Sequence, residues 1–236
     1  MTASDRPPNR VLQALDATAF ALLKPHLGAI EMIRATALGV EGAPLQHVYF
    51  PHRGSVSITV TLAEGQTIEV AMLGRDSVVG GGAALTDGVA LTDAVVLFPG
   101  MASVLDGVAF RSIVDTDARF RRLIIRHEQA LLAQAQQSLL CNTRHPVEAR
   151  LARWLLRARD LCDSATIPLT QEVLARMIGV RRNAISLVAH SLQRAGVIHY
   201  SRGQIAITNP NALETTACEC YGAVRTCYAR LETAGS

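Results

Sequence analysis

Three polar residues at the start of a predicted helix are the strongest candidates for chemistry in this chain. Arg181, Arg182 and Asn183 follow a Gly179-Val180 dipeptide and precede an apolar pattern with helical spacing. An arginine side chain can bridge guanine O6 and N7, and an asparagine side chain can bridge adenine N6 and N7. This run therefore predicts contacts with the base edges of duplex DNA.

Four further residues are expected to contact DNA around this helix. Ser186 lies one turn further along and can contact a base edge or a phosphate. Thr170 and Gln171 begin the preceding helix, where backbone N–H groups suit a phosphate. Arg202 is placed for contact with the DNA backbone. The complete predicted set is Thr170, Gln171, Arg181, Arg182, Asn183, Ser186 and Arg202.

The elements that must position these residues have the pattern of a winged helix-turn-helix. Residues 170–178 form a short amphipathic helix, and Gly179 permits the positive φ that a steep turn requires. Residues 181–194 form the second helix, and residues 197–201 and 204–208 read as a two-stranded wing. This order favours a DNA-binding domain over an ordinary helical hairpin stacked on a β-ribbon.

A long helix is predicted before this domain. Helical periodicity runs from about residue 117 to about residue 141, or roughly 37 Å of helix. Its apolar residues fall on two faces, which must both be buried, one on the chain's own domain and one on a partner helix. We predict that the dimerisation face is Phe120, Ile124, Leu131 and Ala135, and that the second face is Ile125, Leu132 and Leu139.

The boundary between the domains is placed at residues 142–146. Pro146 disfavours helical geometry in His145 and so interrupts the helical pattern. Another helix follows, and its arginines are expected on its polar faces. These arginines are Arg150, Arg153, Arg157 and Arg159.

The amino-terminal part has the pattern of an antiparallel β domain. Residues 30–101 hold short β-type runs separated by Gly, Pro and Asp. Residues 55–62 and 67–73 alternate around a turn signal and predict a hairpin. Residues 94–98 are a later strand that we expect to end at Pro99-Gly100. Several such strands imply a sandwich or barrel.

Composition and charge narrow the class of protein. The 236 residues are 49% hydrophobic and 18% charged, which excludes a chain disordered throughout. There is no run of eighteen apolar residues and no signal-peptide pattern, so a cytoplasmic protein without membrane contact is expected. Residues 1–110 carry a net charge of −4 and residues 111–236 one of +7, which suggests a sensing domain joined to one that binds an anion. No catalytic motif is present, and we expect no enzyme activity.

The cysteines predict neither a disulfide framework nor a metal site. Five cysteines are an odd number, and none precedes Cys141, which argues against an amino-terminal iron–sulfur cluster. Cys218, Cys220 and Cys227 in the tail are the candidates for a soft metal or a response to oxidation. A helical tail with unligated thiols is the expected outcome, so the predicted metal content is none.

Taken together, these motifs resemble the Crp/Fnr family of transcription regulators over nearly the whole chain. The resemblance implies an α+β fold in three parts. These are an antiparallel β-roll sensor domain with an amino-terminal helix (residues 1–116), a dimerisation helix (117–142), and a winged helix-turn-helix with a carboxy-terminal tail (143–236). It also implies a homodimer that binds a two-fold symmetric site on double-stranded DNA through residues 181–194, and contact with RNA polymerase if the protein is an activator.

The recognition helix departs from the pattern of the family. That pattern begins Arg-Glu and has a second Arg one turn later. Here Arg182 matches the first Arg, Asn183 replaces the Glu, and Leu187 replaces the second Arg. The resemblance therefore implies DNA binding at a site that differs from the family's best-known operator.

The sensor domain lacks the residues that bind cyclic AMP in the family. A Gly-Glu-Leu run and a following Arg-Ser pair hold the ribose and cyclic phosphate there. Gly81 stands in the place of the Glu, and Leu91-Thr92 falls near the Arg-Ser position. A cyclic phosphate would lose its charge-assisted contacts, so control by cyclic AMP is not expected and no cofactor is predicted. The candidate effector pocket is Gly80, Gly81 and Gly82, which can hold another anion through backbone N–H groups or form a tight bend.

A second interpretation remains open at this point. The chain can be a small-molecule-binding protein whose winged helix serves protein–protein contacts. The Arg181-Arg182-Asn183 run argues against it. Salt-dependent binding to duplex DNA would distinguish the two interpretations.

Overall fold

An antiparallel sheet forms the centre of the amino-terminal domain. Its strands are β1 (Gly28–Met32), β2 (Ala37–Gly39), β3 (His47–Thr61), β4 (Thr67–Leu73) and β5 (Asp93–Asp106). The structure is a computed structural model that describes residues 6–162 and 164–232. The strands are ordered β1–β5–β3–β4 in the sheet, and β2 also pairs with β5. The predicted hairpin is confirmed, because β3 and β4 pair as far as Thr61 and Thr67.

Four short helices surround this sheet. They are α1 (Arg10–Gln13), α2 (Ala17–Leu23), α3 (Gly81–Ala84) and α4 (Gly107–Thr116). The predicted amino-terminal helix is divided into α1 and α2. Helix α2 begins separately because the Asp16 side chain caps it by accepting a hydrogen bond from the Ala19 N–H at 2.8 Å.

The prediction that a strand ends at Pro99-Gly100 is wrong, since β5 continues to Asp106. Pro99 lies at a register shift, where it pairs with neither β1 nor β3 and needs no N–H. A Cβ on Gly100 would lie 2.0 Å from the Arg53 carbonyl oxygen. The strand therefore passes through this dipeptide because glycine allows the two backbones to approach closely.

The long helix α5 (Ala118–Arg144) begins after Asp117, whose carboxylate accepts from the backbone N–H groups of Arg119 and Phe120. Phe120 and Ile124 are fully buried in the core of their own β domain. Their assignment to the dimerisation face is therefore wrong, since neither side chain has surface left for a partner.

The apolar face of α5 that remains exposed is the second predicted face. Leu131 and Ala135, the remaining members of the predicted face, are half-buried. Ile125, Leu132 and Leu139 are 45%, 59% and 68% exposed and recur every seven residues. This face is defined here as the α5 seam.

The carboxy-terminal domain packs directly on the β domain. Its elements are α6 (Val147–Cys162), β6 (Thr166–Ile167), α7 (Gln171–Ile178), α8 (Arg182–Arg194), β7 (Ile198–Ser201), β8 (Gln204–Ile207), α9 (Pro210–Thr216) and α10 (Cys220–Glu232). One apolar cluster includes Met72 and Phe98 of the β domain together with Trp154 and Leu161 of α6. No helix among the described residues is both long and apolar enough to cross a membrane.

Two of the arginines expected on polar faces of α6 are instead buried. Arg157 forms a two-point ion pair with Asp76 of the β domain, with Nη1–Oδ2 at 2.5 Å and Nη2–Oδ1 at 3.2 Å. Arg150 donates to the backbone carbonyl of Ile178 at the end of α7. Helix α6 thus attaches the second domain to the first through polar as well as apolar contacts.

Candidate nucleic-acid interface, effector pocket and cysteine cluster

The turn between α7 and α8 sets the position of the exposed polar residues. Thr170 caps α7 by accepting from a backbone N–H of its first turn. Gly179 ends α7 with a φ of 72°, the left-handed conformation that favours glycine. A Cβ on Gly179 would lie 2.6 Å from Cδ1 of Ile68 in β4. The predicted helix-turn-helix is confirmed, and its turn packs closely against the β3–β4 hairpin.

Arg181, Arg182 and Asn183 are exposed where α8 begins, as the sequence predicts. In the part of the chain that the structure describes, neither arginine lies within ion-pair distance of a carboxylate. Among the described residues their positive charges therefore have no acidic partner. Such uncompensated guanidinium groups at an exposed helix start suit phosphates and guanine bases.

Ser186 and Gln171 are brought into direct contact. The Ser186 hydroxyl donates a hydrogen bond to Gln171 Oε1 at 2.5 Å, which ties the start of α7 to the second turn of α8. Among the described residues no acceptor is found for the two N–H donors of the Gln171 amide. In this geometry Ser186 positions the half-buried Gln171 side chain.

The wing turn lies beside the start of α7. Arg202 and Gly203 have φ values of 49° and 74°, the pair of positive values that a tight two-residue hairpin turn requires. A Cβ on Gly203 would lie 3.7 Å from the Thr170 methyl group, and Arg202 is exposed. The start of α7 and the wing tip therefore belong to one surface.

Leu187 is an exposed residue that sequence reasoning left out of the contact set. It lies one turn after Asn183 on the same side of α8 and is 75% exposed. The apolar period of α8 falls instead on Ile185, Ala189 and Leu192, which are buried. A leucine outside that period was the available signal, since an exposed apolar side chain on this helix can contact a thymine methyl group.

A cavity of about 420 Å³ lies between the β domain and α5. Its walls are almost wholly apolar and include Leu45, Leu73, Val79 and Leu131. Among the lining residues, all within the described part of the chain, Glu128 is the one charged side chain and none is basic. The cavity therefore suits an uncharged ligand better than an anion.

The orientation of Glu128 is fixed by its neighbour on α5. His127 Nε2 accepts a hydrogen bond from the Val78 N–H at 3.0 Å, and its Nδ1 lies 3.1 Å from Glu128 Oε1. Because Nε2 accepts, a neutral ring carries its proton on Nδ1 and donates it to the carboxylate. His127 thus links α5 to the β domain and holds the carboxylate at the cavity wall.

The Gly80–Gly82 run packs against α5. Gly80 has a φ of 87° and precedes the four-residue helix α3. A Cβ on Gly82 would lie 2.6 Å from Glu128 Oε2, and one on Gly81 would lie 3.4 Å from Cγ2 of Ile124. Gly80 and Gly82 line the cavity, whereas Gly81 is buried and is not among its lining residues. The close approach to α5 and the adjacent carboxylate favour the tight bend over an anion-binding loop.

A buried carboxylate lies where the β3–β4 hairpin meets the second domain. Glu69 Oε1 accepts from the Trp154 indole N–H at 2.7 Å, and Oε2 accepts from the Ser57 hydroxyl at 2.6 Å. Burial raises the pKa of Glu69 to about 7, although these two hydrogen bonds and nearby arginines act to lower it.

A cluster of sulfur and imidazole ligands lies apart from the DNA-facing surface. The side chains of Cys141, His145, Cys218 and Cys220 place their ligand atoms within 4.8 Å of one another. Cys218 and Cys220 were candidates from the sequence, and the structure adds Cys141 and His145. Cys227 is not a member and packs instead beside the apolar core of the β domain.

The thiols of this cluster have unequal proton affinities. A hydrogen bond from Cys218 lowers the pKa of Cys141 to about 5, against the effect of burial and with help from the charge of Arg153. The same contact raises the pKa of Cys218, and burial raises the pKa of Cys220. Cys141 therefore has the lowest proton affinity of the three thiols.

Comparison with known proteins separates the chain into two recognised parts. A family model described as a cyclic nucleotide-binding domain matches residues 34–117, and one described as a Crp-like helix-turn-helix domain matches residues 149–216. No curated protein sequence matches the chain.

Several solved structures have a similar fold. FixK2 from Bradyrhizobium japonicum is 16% identical with a TM-score of 0.66, and the match covers 81% of this chain and 98% of that one. CLP of Xanthomonas campestris, described as a c-di-GMP responsive global regulator, is 17% identical with a TM-score of 0.65 and coverage of 81% and 99%. A CRP-family transcriptional regulator from Thermus thermophilus is 20% identical with a TM-score of 0.66 and coverage of 80% and 96%. At these identities the likeness establishes the fold alone.

Proposed function

Because the chain belongs to the Crp/Fnr family of transcription regulators, we propose that it is a homodimeric, sequence-specific DNA-binding regulator. Each protomer inserts the start of α8 into the major groove of one half of a two-fold symmetric operator. The observation that carries the proposal is the exposed run from Arg181 to Asn183, whose arginine charges have no acidic partner among the described residues. The protein acts with its DNA in the cytoplasm, without enzyme activity, and contacts RNA polymerase if it is an activator.

The residues on this surface divide into two roles. One side of the first turns of α8 contacts base edges, and it carries Arg182, Asn183 and Leu187. Gln171 and Arg202 contact phosphates, which fixes the position of the protein without reading sequence. Thr170 and Arg181 add phosphate contacts at the two helix starts, and Ser186 holds Gln171.

The Arg182→Ala and Arg202→Ala variants should affect DNA binding in different ways. Losing Arg182 removes a two-point base contact, so operator binding should weaken by about 1–3 kcal/mol and preference at one base pair of each half-site should flatten. Losing Arg202 should lower affinity almost equally on all sequences and reduce the salt slope by about one unit. Selection from randomised duplexes, followed by binding measurements at two salt concentrations, checks both results.

The selected operator should show two-fold symmetry, with half-sites about 34 Å apart. An Arg182→Ala protein that keeps its full sequence preference contradicts the role given to Arg182. A wild-type chain that binds no duplex at low salt contradicts the function itself and favours protein–protein contacts through the winged helix.

We propose further that the effector is an uncharged, largely apolar small molecule. Its binding site is the 420 Å³ cavity beside α5. The apolar walls supply the binding free energy, and the Glu128 carboxylate can accept a hydrogen bond from a ligand N–H or O–H group. Residues of α5 form part of the wall, so an occupied cavity acts directly on the proposed dimerisation helix.

Cyclic AMP and cyclic GMP should bind weakly or not at all. Their phosphate would meet the Glu128 carboxylate without a cationic partner in the cavity wall. The uncharged fluorophore 1-aminoanthracene should bind, and Ala90→Trp, which fills the cavity, should abolish its binding. Calorimetry and fluorescence titration measure these outcomes, and micromolar affinity for either cyclic nucleotide would overturn this assignment of the pocket.

A further inference from the structure

The carboxyl end of α5 and the tail together form a compact set of metal ligands. Cys141 lies in the last turn of α5 and His145 is the residue at which that helix ends. Cys218 and Cys220 lie at the turn into α10. We propose that these four side chains bind a single four-coordinate thiophilic cation, Zn²⁺ in the first instance. The proposal does not depend on DNA binding.

The distances fit the edges of a tetrahedron. Cys141 Sγ lies 3.5 Å from Cys218 Sγ, and Cys220 Sγ lies 3.5 Å from His145 Nδ1. Zinc–sulfur bonds of ≈ 2.3 Å place two sulfurs of a tetrahedral site about 3.8 Å apart. These two contacts are therefore within a few tenths of an ångström of the edges of such a site, and all four ligand atoms lie within 4.8 Å of one another.

The local sequence explains why the ligands converge. Cys141 and His145 are four residues apart, so the helix end places both on one side. Cys218 and Cys220 flank a single residue in the turn between α9 and α10, and packing of α10 along α5 brings this turn to the helix end. The pattern combines Cys-x₃-His with Cys-x-Cys across the whole carboxy-terminal domain.

A second layer of contacts orients the ligands. His145 presents Nδ1 to the sulfur atoms, while its Nε2 lies 3.3 Å from Glu219 Oε1. A metal-ligating imidazole commonly donates its other N–H to a carboxylate in this way. The Gln137 amide also donates to Cys220 Sγ at 3.0 Å. These contacts match what a metal site needs.

The charge around the cluster suits a thiolate-rich site. Three thiolates, one neutral imidazole and a divalent cation carry one net negative charge. The Arg150 and Arg153 guanidinium groups lie close enough to Cys141 for their charges to act on it. The cluster is also buried, as Cys141 and Cys220 are fully inaccessible to solvent. Arginine charge therefore offsets the anion in a medium that would otherwise disfavour it.

Two other fates of these thiols fit the geometry less well. A disulfide between Cys141 and Cys218 would use two of the four groups and leave the orientation of His145 and Cys220 unexplained. An iron–sulfur cluster distributes its ligands over several iron atoms, which requires a wider spacing of the sulfurs than is found here. A mononuclear site uses all four groups at the spacing that they have.

Metal analysis of the full chain, purified without a polyhistidine tag and under reducing conditions, tests the proposal. We expect one zinc ion per chain by mass spectrometry of the metal content. After removal of zinc with a chelator, Co²⁺ should give the intense visible bands of a tetrahedral thiolate site, saturate at one equivalent, and be displaced by Zn²⁺.

Matched variants locate the site. Cys141→Ser and Cys220→Ser should lose the bound zinc and the cobalt bands, whereas Cys162→Ser and Cys227→Ser should retain both. Glu219→Gln should weaken zinc affinity by about 10- to 100-fold, and Glu214→Gln, at an exposed ion pair nearby, should not. If a cysteine variant fails to fold, the wild-type cobalt titration and the Glu219→Gln variant still decide the question.

Three results would overturn the inference. The first is a wild-type chain with reduced thiols that binds neither zinc nor cobalt. The second is full metal content in both Cys141→Ser and Cys220→Ser. The third is the charge-transfer spectrum and sulfide content of an iron–sulfur cluster in the native protein.

Discussion

The Leu132→Glu variant is expected to sediment as a monomer. Ile125, Leu132 and Leu139 form the α5 seam, and they are exposed in a single chain although they are large and apolar. Gln129 and Gln136 alternate with them at the spacing of a coiled coil, where polar core residues fix register. Two carboxylates at Leu132 would face each other at the centre of the seam and cost about 4 kcal/mol, or roughly a thousandfold in dimer affinity.

Analytical ultracentrifugation at micromolar concentration measures this result. Val108→Glu is the matched control, because Val108 is also a large exposed apolar residue but belongs to α4 and not to the α5 seam. The Leu132→Glu variant should also lose affinity for the full operator while retaining weak half-site binding. A dimer of unchanged stability in this variant would place the interface elsewhere.

The Asp76→Ala variant should lose about 3–5 kcal/mol of the free energy of unfolding. It leaves the buried Arg157 guanidinium without its carboxylate, and the remaining contacts are the Met72 carbonyl and the face of Tyr228 at 4.8 Å. Burial acts to raise the pKa of Asp76, but Arg157, the Ser77 hydroxyl and the charge of Arg10 together more than offset it, so the pKa is lowered. Urea unfolding at neutral pH measures the loss.

Asp115→Ala provides the comparison. Asp115 pairs with Arg121 at 3.5 Å, but the Asp115 side chain is largely exposed and that of Arg121 partly so, and the loss of this pair should cost less than about 1 kcal/mol. A double variant, Asp76→Ala with Arg157→Met, should recover part of the stability, because it removes the stranded charge. Equal losses in Asp76→Ala and Asp115→Ala would contradict the view that this pair fastens the two domains.

The helix-turn-helix could be predicted because its signals are local. The cap at Thr170, the left-handed turn at Gly179 and the apolar period of α8 are each set by neighbouring residues. The predicted hairpin between β3 and β4 has the same origin. Local chemistry of this kind determines the start of α8, where the candidate base-contacting residues lie.

Burial by distant elements could not be predicted from the same patterns. Both faces of α5 are apolar, and only packing reveals that Phe120 and Ile124 point into the β domain. Ser57 is buried although its strand pattern places it outside, because Met177 of α7 covers it. Arg157 is also buried by a distant element, because it packs against the β domain and pairs there with Asp76.

The cysteine cluster also could not be predicted from the sequence, because its members are far apart in the chain. Cys141 and Cys218 are separated by 77 residues, and the sequence grouped Cys218 and Cys220 with Cys227. Their neighbourhood depends on the path of α9 and α10 back to α5. In the sequence, His145 indicated only the break between two helices.

The burial of Glu69 makes the union of the two domains a proton-linked equilibrium. The pKa of this carboxyl is about 7 in the folded chain and near 4.5 when exposed, so the folded state holds the proton more tightly. Stability from this group is therefore fully present below about pH 4.5 and is lost as the pH rises through about 7, by roughly 3 kcal/mol in total. A rise in pH from about 4.5 to about 7 thus weakens the attachment of α6 and α7 to the hairpin, and folding at pH 7 takes up about half a proton.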